Sequence, residues 1–269
     1  MDDFNEVAME AKQPAYVAKA VDAEGNAAYT ATENQTWQTL IKRQTKIVQN
    51  RACEEYLQGL QLLNLPNDRI PQCKEISAVL QKKTGWSLEP VPALIPFEHF
   101  FYLLANKRFP AATFIRRPEE LDYLEEPDIF HEVFGHCPLL THSAYADFTH
   151  TYGKLALKAS EEDRVFLARL YWFTVEFGLI RQNQKIYAYG GGILSSMQET
   201  VYSVENEKPL RQSFDVLEVL RTPYRIDKMQ PLYFVIEDFN TLFELIKMDL
   251  MELIQKAKKL GLYQPVFEP

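Results

Sequence analysis

Apolar side chains recur every three or four residues along most of the chain, which is the spacing of α-helices with one buried face. The helices that this spacing predicts cover residues 37–48, 54–63, 69–83, 97–107, 143–160, 161–182 and 239–260. A further short helix is expected to follow the glycine-rich turn 187–192 and to end at Val201. The predicted fold class is therefore mainly α with minor β.

The predicted β-structure is limited to short extended segments. These are expected at 113–116 and within 207–236, including 215–217. The proline-punctuated segment 85–92 is expected to be a loop, because proline lacks the backbone donor that a strand or helix uses.

The chain is predicted to divide into an arm and one domain. Residues 1–30 are polar, rich in alanine and weakly periodic, so we expect a loosely ordered N-terminal arm. No repeat or linker divides the remainder, so we expect 31–269 to form a single domain.

Composition excludes several classes of protein. Apolar residues make up 46% of the 269 residues, which is enough for a sizeable core, and the net charge is −8. An acidic surface argues against nucleic acid or an anionic membrane as a partner. The sequence contains no uninterrupted apolar run of about 20 residues, so no membrane-spanning helix is expected. No secretory signal is recognisable. The three cysteines form no CxxC pair, so we expect reduced thiols and a cytoplasmic location.

Two of the five histidines lie close together in the segment 127–138, with the spacing HExxxH. On a straight α-helix, residues five apart point about 140° away from each other. The helix must therefore end or distort near Gly135, and Pro138 favours an end there. His136 could then turn toward His131. The pair is interpreted either as two metal ligands or as two ordinary, partly buried histidines.

Glu176 is a third candidate ligand. It lies in 165–180, where Arg169 is the only other charged residue and apolar side chains surround nearly the whole helix. A carboxylate in such surroundings is costly unless it is paired or bound to a cation. The alternative is a buried salt bridge to Arg116, Arg169 or Arg181.

Two imidazoles and one carboxylate are typical of non-haem Fe(II) oxygenases, which keep open positions for oxygen and a co-substrate. The same ligand types could hold zinc for hydrolysis, with Glu132 as the base. The longer histidine spacing counts against that zinc hydrolase. A third alternative is a non-enzymatic binding protein in which Glu176 is only salt-bridged.

Three blocks in order give the chain a specific resemblance: PDIFHEVFGHCPLL, YWFTVEFGL and AYGGGILSS, with QPLY behind them. Together they resemble the tetrahydropterin-dependent aromatic amino acid hydroxylases, in their compact bacterial form. The resemblance covers residues 34–243 and makes 31–269 a catalytic domain. It implies a monooxygenase that uses Fe(II), a tetrahydropterin and O2.

The resemblance also implies a role for individual residues. The implied iron ligands are His131, His136 and Glu176. The implied pterin contacts are Phe100, as a stacking ring, with Ile95, Glu132 and Tyr171. The implied substrate residues are Arg116 for the carboxylate, Asp128 to orient it, Trp172 and Phe177 as walls, and Gly192, Ser195 and Ser196. Ser195 also matches a partner of a histidine ligand.

Two positions indicate the substrate. Ile226 stands where the tyrosine-specific members carry an aspartate, and Trp172 stands where the tryptophan-specific members carry phenylalanine. Apolar walls without a partner for a hydroxyl also disfavour tyrosine. The expected reaction converts L-phenylalanine to L-tyrosine, with O2 and reduced pterin as the other reactants. We expect a monomer or a homodimer.

Overall fold

Helices dominate this computed structural model, which describes residues 16–92, 95–122 and 126–266. The α-helices are α1 (Ala31–Ile47), α2 (Glu54–Leu63), α3 (Cys73–Lys83), α4 (Phe97–Ala105), α5 (Cys137–Leu140), α6 (Ser143–Lys158), α7 (Glu161–Tyr171), α8 (Gly191–Ser195), α9 (Met197–Glu205), α10 (Val216–Arg221), α11 (Asn240–Leu245) and α12 (Leu250–Leu260). Two π-helical segments are His131–His136 and Trp172–Glu176, and Pro118–Glu120 forms a 3-10 turn. The predicted class, mainly α with minor β, is confirmed.

The strands within the described residues form two small sheets. They are β1 (Ser87–Val91), β2 (Arg108–Ala112), β3 (Leu179–Gln182), β4 (Lys185–Ala188), β5 (Leu210–Ser213) and β6 (Leu232–Ile236). β1 and β2 pair in parallel, and the second sheet has the order β4-β3-β6-β5. β6 is parallel to both of its neighbours and is buried along its whole length, as expected for a central strand of continuous apolar sequence.

One continuous apolar core joins the elements from Trp37 in α1 to Ala257 in α12. Glycines permit close contacts between helices in this core. A Cβ on Gly153 of α6 would lie 2.5 Å from Leu104 of α4, and one on Gly59 of α2 would lie 2.0 Å from the Pro138 carbonyl oxygen. The core therefore holds the segment after the second histidine firmly against α2.

No helix of the described residues is both long and apolar enough to span a membrane.

Helix 54–63 has its predicted bounds, and the helices over 37–48, 97–107 and 143–160 are confirmed with shifted ends. The helix predicted over 69–83 begins only at Cys73. After the glycine-rich turn there are two short helices, α8 and α9, rather than one.

Two other helix predictions and one extended segment were wrong because tertiary contacts or capping override the local pattern. The predicted helix 161–182 ends at Glu176, and its last residues form β3, where pairing with β6 satisfies the backbone. The predicted helix 239–260 is divided, because Asp249 caps a new helix by accepting from the Glu252 amide. Residues 215–217 are not extended; Asp215 caps α10 instead.

Two predictions around the smaller sheet were also wrong. Segment 85–92 is not only a loop but contains β1, in which Pro90 is tolerated because the strand has a single pairing partner. The strand expected at 113–116 lies earlier, as β2, and the Thr113 hydroxyl donates to the carbonyl of Lys19 at 2.8 Å.

The described part of the N-terminal segment contacts the rest of the chain. The Tyr16 ring stacks on Phe114 with centroids 4.5 Å apart, and Gln72 exchanges hydrogen bonds with the backbone of Ala27. Residues 1–15 of the arm lie outside the described residues. The division into an arm 1–30 and a domain 31–269 stays a prediction.

Candidate active site

The two histidines of HExxxH face each other across a π-helical turn. Because π-helical hydrogen bonds join residues five apart, His131 and His136 lie on one face of the segment. Their Nε2 atoms are 3.0 Å apart. The sequence left two alternatives, an end of the helix or a distortion near Gly135. The helix is distorted and does not end, because Cys137 and Pro138 continue it into α5.

Glu176 completes the group from the end of the second π-helical segment. Its carboxylate oxygens lie 3.3 Å from Nε2 of His136 and 3.6 Å from Nε2 of His131. The three candidate ligand atoms are all within 4.8 Å of one another. The alternative salt bridges to Arg116 and Arg181 are not formed, since these arginines pair with Asp128 and Glu237. Residues far apart along the chain thus present two ring nitrogens and a carboxylate to one point.

The glycine-rich turn brings α8 against this group. A Cβ on Gly191 would lie 2.3–2.6 Å from three atoms of the His136 ring, and one on Gly190 would lie 2.3 Å from the Glu176 carbonyl oxygen. A Cβ on Gly135 would lie 2.6 Å from the Gly191 carbonyl oxygen. The glycine-rich turn was predicted, but its packing against the candidate ligands was not. The sequence feature that could have indicated this packing was the run of three glycines before a helix.

Ser195 of α8 orients the first histidine. Its hydroxyl oxygen lies 2.9 Å from Nδ1 of His131 and 3.4 Å from the carbonyl oxygen of Gly192. If the hydroxyl donates to that carbonyl, it accepts the Nδ1 proton of His131, and the lone pair of Nε2 points at the other two ligands. Nδ1 of His136 is buried and makes no hydrogen bond among the described residues.

The electrostatics favour the protonation states that a divalent cation requires. Burial lowers the pKa of His131 to about 4, so its imidazole is neutral at physiological pH. Burial alone would raise the pKa of Glu176, but the two histidines and the Gly192 amide lower it below its ordinary value. Neutral imidazoles and an ionised carboxylate are the forms that bind metal.

Glu132 is buried beside this group. Burial raises the pKa of its carboxyl well above the ordinary value, and the nearby Glu176 and Asp128 raise it further. Such a carboxyl retains its proton more readily than an exposed one.

Arg116 and Asp128 form a buried, two-point ion pair. Nε and Nη2 of Arg116 lie 2.8 and 2.9 Å from the two carboxylate oxygens, and the Arg116 amide donates to the same group. Asp128 also accepts from the backbone amide of His131 at 3.0 Å. Burial would raise the pKa of Asp128, but Arg116 lowers it below the ordinary value. The pair therefore links the arginine to the backbone of a candidate ligand.

Aromatic rings form one wall beside Glu176. Trp172 lies against Phe177 and Tyr224, with centroid distances of 4.4 Å in both cases. The indole Nε1 donates to Oε1 of Gln230 at 3.1 Å. Tyr224 and the side chain of Gln230 were not predicted as site residues. The sequence feature that could have identified Gln230 as a site residue was its position in the QPLY block.

A second aromatic pair lies where the resemblance expects the pterin. The rings of Phe100 and Tyr171 meet edge to face with centroids 5.4 Å apart, and both are half-buried. Ile95 is also half-buried.

The two remaining predicted substrate residues lie on α8 and at the start of α9. Gly192 packs under the Phe177 ring, where a Cβ would be 3.0 Å away. Ser196 caps α9 by accepting from the Glu199 amide. The binding roles assigned to individual residues stay predictions.

The fold and this group define a mainly α protein with a two-histidine, one-carboxylate centre of the kind that non-haem iron oxygenases use. A family model described as biopterin-dependent aromatic amino acid hydroxylase matches residues 3–265. The chain belongs to this family. The resemblance seen in the sequence is thereby confirmed, and the zinc hydrolase alternative is not supported.

Relatives and solved structures agree with this assignment. The chain is 60% identical over 258 residues to phenylalanine-4-hydroxylase of Pseudomonas aeruginosa, covering 96% of this chain and 98% of the relative. The phenylalanine hydroxylase structure from Legionella pneumophila is 51% identical with a TM-score of 0.92, covering 94% of this chain and all of the other. The Chromobacterium violaceum enzyme with bound oxidized Fe(III) is 41% identical with a TM-score of 0.85, and each chain is covered to 91%.

Proposed function

We propose that the chain is a phenylalanine 4-monooxygenase, which converts L-phenylalanine to L-tyrosine with O2 and a tetrahydropterin. The observation that carries the proposal is the convergence of His131, His136 and Glu176 beside the wall of Trp172 and Phe177. The relative from Pseudomonas aeruginosa, at 60% identity, is named phenylalanine-4-hydroxylase.

The ligand set fits Fe(II). Two imidazoles and one carboxylate occupy one side of such an ion and leave positions open for other molecules. When bound there, Fe(II) and the reduced pterin would activate O2, so that one oxygen atom enters the para C–H bond of the substrate. Ser195 would hold the His131 ring, and the Gly190–Gly192 turn would hold His136 and Glu176 in place.

The substrate is proposed to bind between Arg116 and the aromatic wall. Asp128 uses the Nε proton and one proton of Nη2, so Nη1 and the second proton of Nη2 are left for the substrate carboxylate. Trp172 and Phe177 would contact the substrate ring. Ile226 provides no hydrogen-bond partner for a hydroxyl, which favours phenylalanine over tyrosine on desolvation grounds.

The pterin is proposed to bind on the side of Phe100 and Tyr171. A flat heterocycle stacks favourably on such a ring, and Ile95 and Glu132 are the proposed neighbours. Most of the surrounding side chains are buried or half-buried, which restricts access of water to the reaction.

A cytoplasmic location forms part of the proposal. All three cysteines are unpaired and buried, as expected in a reducing compartment. A monomer or homodimer stays a prediction.

The test is anaerobic reconstitution with Fe(II), followed by O2, phenylalanine and tetrahydrobiopterin, with tyrosine measured by chromatography. Wild-type protein should form tyrosine, whereas His131→Ala and Glu176→Ala should not. His150→Ala is the matched control and should retain activity, because His150 lies outside the candidate ligand group and hydrogen-bonds the Leu104 carbonyl of α4. Iron-dependent turnover in either ligand variant would refute the assignment.

A further inference from the structure

The side chain of Gln230 lies between the aromatic wall and the loop that carries Ile226. It is 1% exposed. Oε1 accepts from the Trp172 indole at 3.1 Å, and Nε2 donates to the carbonyls of Arg225 and Lys228 at 2.8 and 3.0 Å. Since only the NH2 end of an amide can donate to carbonyls, its oxygen must face the indole. The amide is thus oriented by three partners.

The backbone of Gln230 is anchored separately. Its N–H lies 3.3 Å from a carboxylate oxygen of Glu199, which also accepts from the Tyr233 hydroxyl. Glu199 is buried in α9. Gln230 is therefore held at both ends, and its side chain connects a fixed point to Trp172.

We propose that Gln230 is a positioning residue that sets the substrate selectivity of this pocket. Its amide holds Trp172 in one orientation against Phe177 and Tyr224, and it ties loop 225–228 to the same wall. This inference rests on the proposed function, because it requires that the pocket receives an aromatic amino acid.

The physical reason is that the contact restricts two elements at once. Without the amide, the indole N–H and two backbone carbonyls lose their partner and would turn toward water. The ring would then gain orientational freedom, and the loop with Ile226 could move away. A wall of variable position discriminates poorly between rings of different size.

A merely structural role would have a different consequence. If Gln230 only stabilises the fold, its removal lowers the melting temperature without changing substrate binding or selectivity. A matched variant is Gln44→Met. Gln44 is 2% exposed and donates to the Leu194 carbonyl and the Thr200 hydroxyl, but it does not touch the wall.

The kinetic test compares Gln230→Met with Gln44→Met in the Fe(II)-reconstituted full-length protein. For Gln230→Met we expect KM for phenylalanine to rise about tenfold with kcat nearly unchanged, and the kcat/KM ratio of phenylalanine to tryptophan to fall about fivefold. Gln44→Met should lose comparable thermal stability but keep the wild-type KM and ratio.

A spectroscopic test does not depend on turnover. The full-length, metal-free protein has three indole N–H groups, and the Trp172 resonance in a ¹H–¹⁵N spectrum is assigned by its loss in Trp172→Phe. Gln230→Met should move this resonance upfield, whereas Gln44→Met should not. In the Trp172→Phe background, Gln230→Met should change selectivity less than it does in the wild type, because the shared contact is already lost.

The outcomes separate the two proposals. Wild-type protein that forms no tyrosine would overturn the proposed function and, with it, the selectivity role. Active wild-type protein with an unmoved Trp172 resonance in Gln230→Met, or with the same KM and selectivity as Gln44→Met, would overturn the positioning role alone.

Discussion

Replacing Gly191 by alanine should disable the metal site while leaving the fold intact. The added Cβ would lie 2.3 Å from Cε1 and 2.6 Å from Nε2 of His136. These distances are about 1 Å shorter than an ordinary van der Waals contact of 3.4 Å. His136 is 1% exposed and packs against Phe109 at 5.0 Å, so its ring has little room to move. Gly191 lies in α8, where alanine is the better helix former.

A displacement of about 1 Å is large compared with the roughly 0.2 Å that a metal–nitrogen bond tolerates. Changes that only reorient a ligand lower metal affinity by about 10–100-fold, so we expect a loss of at least 100-fold, or about 2.7 kcal/mol. Anaerobic equilibrium dialysis with Fe(II) measures the affinity, and thermal unfolding checks the fold.

Gly192→Ala is the matched control in the same helix. Its Cβ would lie 3.0 Å from the edge of the Phe177 ring and 3.1 Å from the Glu176 carbonyl oxygen. Because small adjustments relieve these contacts, we expect a much smaller loss of Fe(II) affinity. Wild-type affinity in Gly191→Ala would refute the packing argument, since His136 could then yield without losing its position as a ligand.

Three further predictions concern buried polar groups. Asp128→Asn should lower the free energy of unfolding by about 3 kcal/mol, measured by urea titration, because it leaves the Arg116 charge buried without its partner; an unchanged midpoint would contradict this. Ser195→Ala should weaken Fe(II) binding about tenfold in dialysis by freeing the His131 ring, and equal affinity would exclude that role. Burial raises the pKa of Glu199 from 4.5 to about 7. Protonated Glu199 therefore contributes about 3 kcal/mol to the free energy of unfolding below pH 4.5, and this contribution is lost as the pH rises through about 7. Glu199→Gln should therefore raise the melting temperature at pH 8 relative to wild type and flatten the profile between pH 5 and 8; a parallel profile would contradict the shift.

Much of the candidate site followed from local chemistry. The two histidines and the isolated glutamate were recognised because few residue types bind metal and because a charge within an apolar helix requires a partner. The aromatic walls followed from the resemblance of the YWFTVEFGL block. Whether the helix ends or distorts near Gly135 was left open.

The structure resolved that alternative through packing. The helix continues through Pro138 into α5, where Gly59 lets α2 approach the Pro138 carbonyl, and the π-helical turn accommodates the extra residue between the histidines. The strand at 179–182 has a similar origin. Its sequence continues the apolar pattern of the preceding helix, but pairing with β6 determines its conformation.

By itself the sequence determined the class of fold, the position of most helices, the family and the identity of the three candidate ligands. These properties depend on periodicity within one element and on the chemistry of single residues. Only the tertiary structure decided that Gly191 must lack a side chain, that Gln230 orients Trp172 and that Asp128 joins Arg116 to the backbone of His131. The physical reason is that each of these contacts joins segments distant along the chain or depends on how a helix is distorted, and neither is encoded in any local pattern.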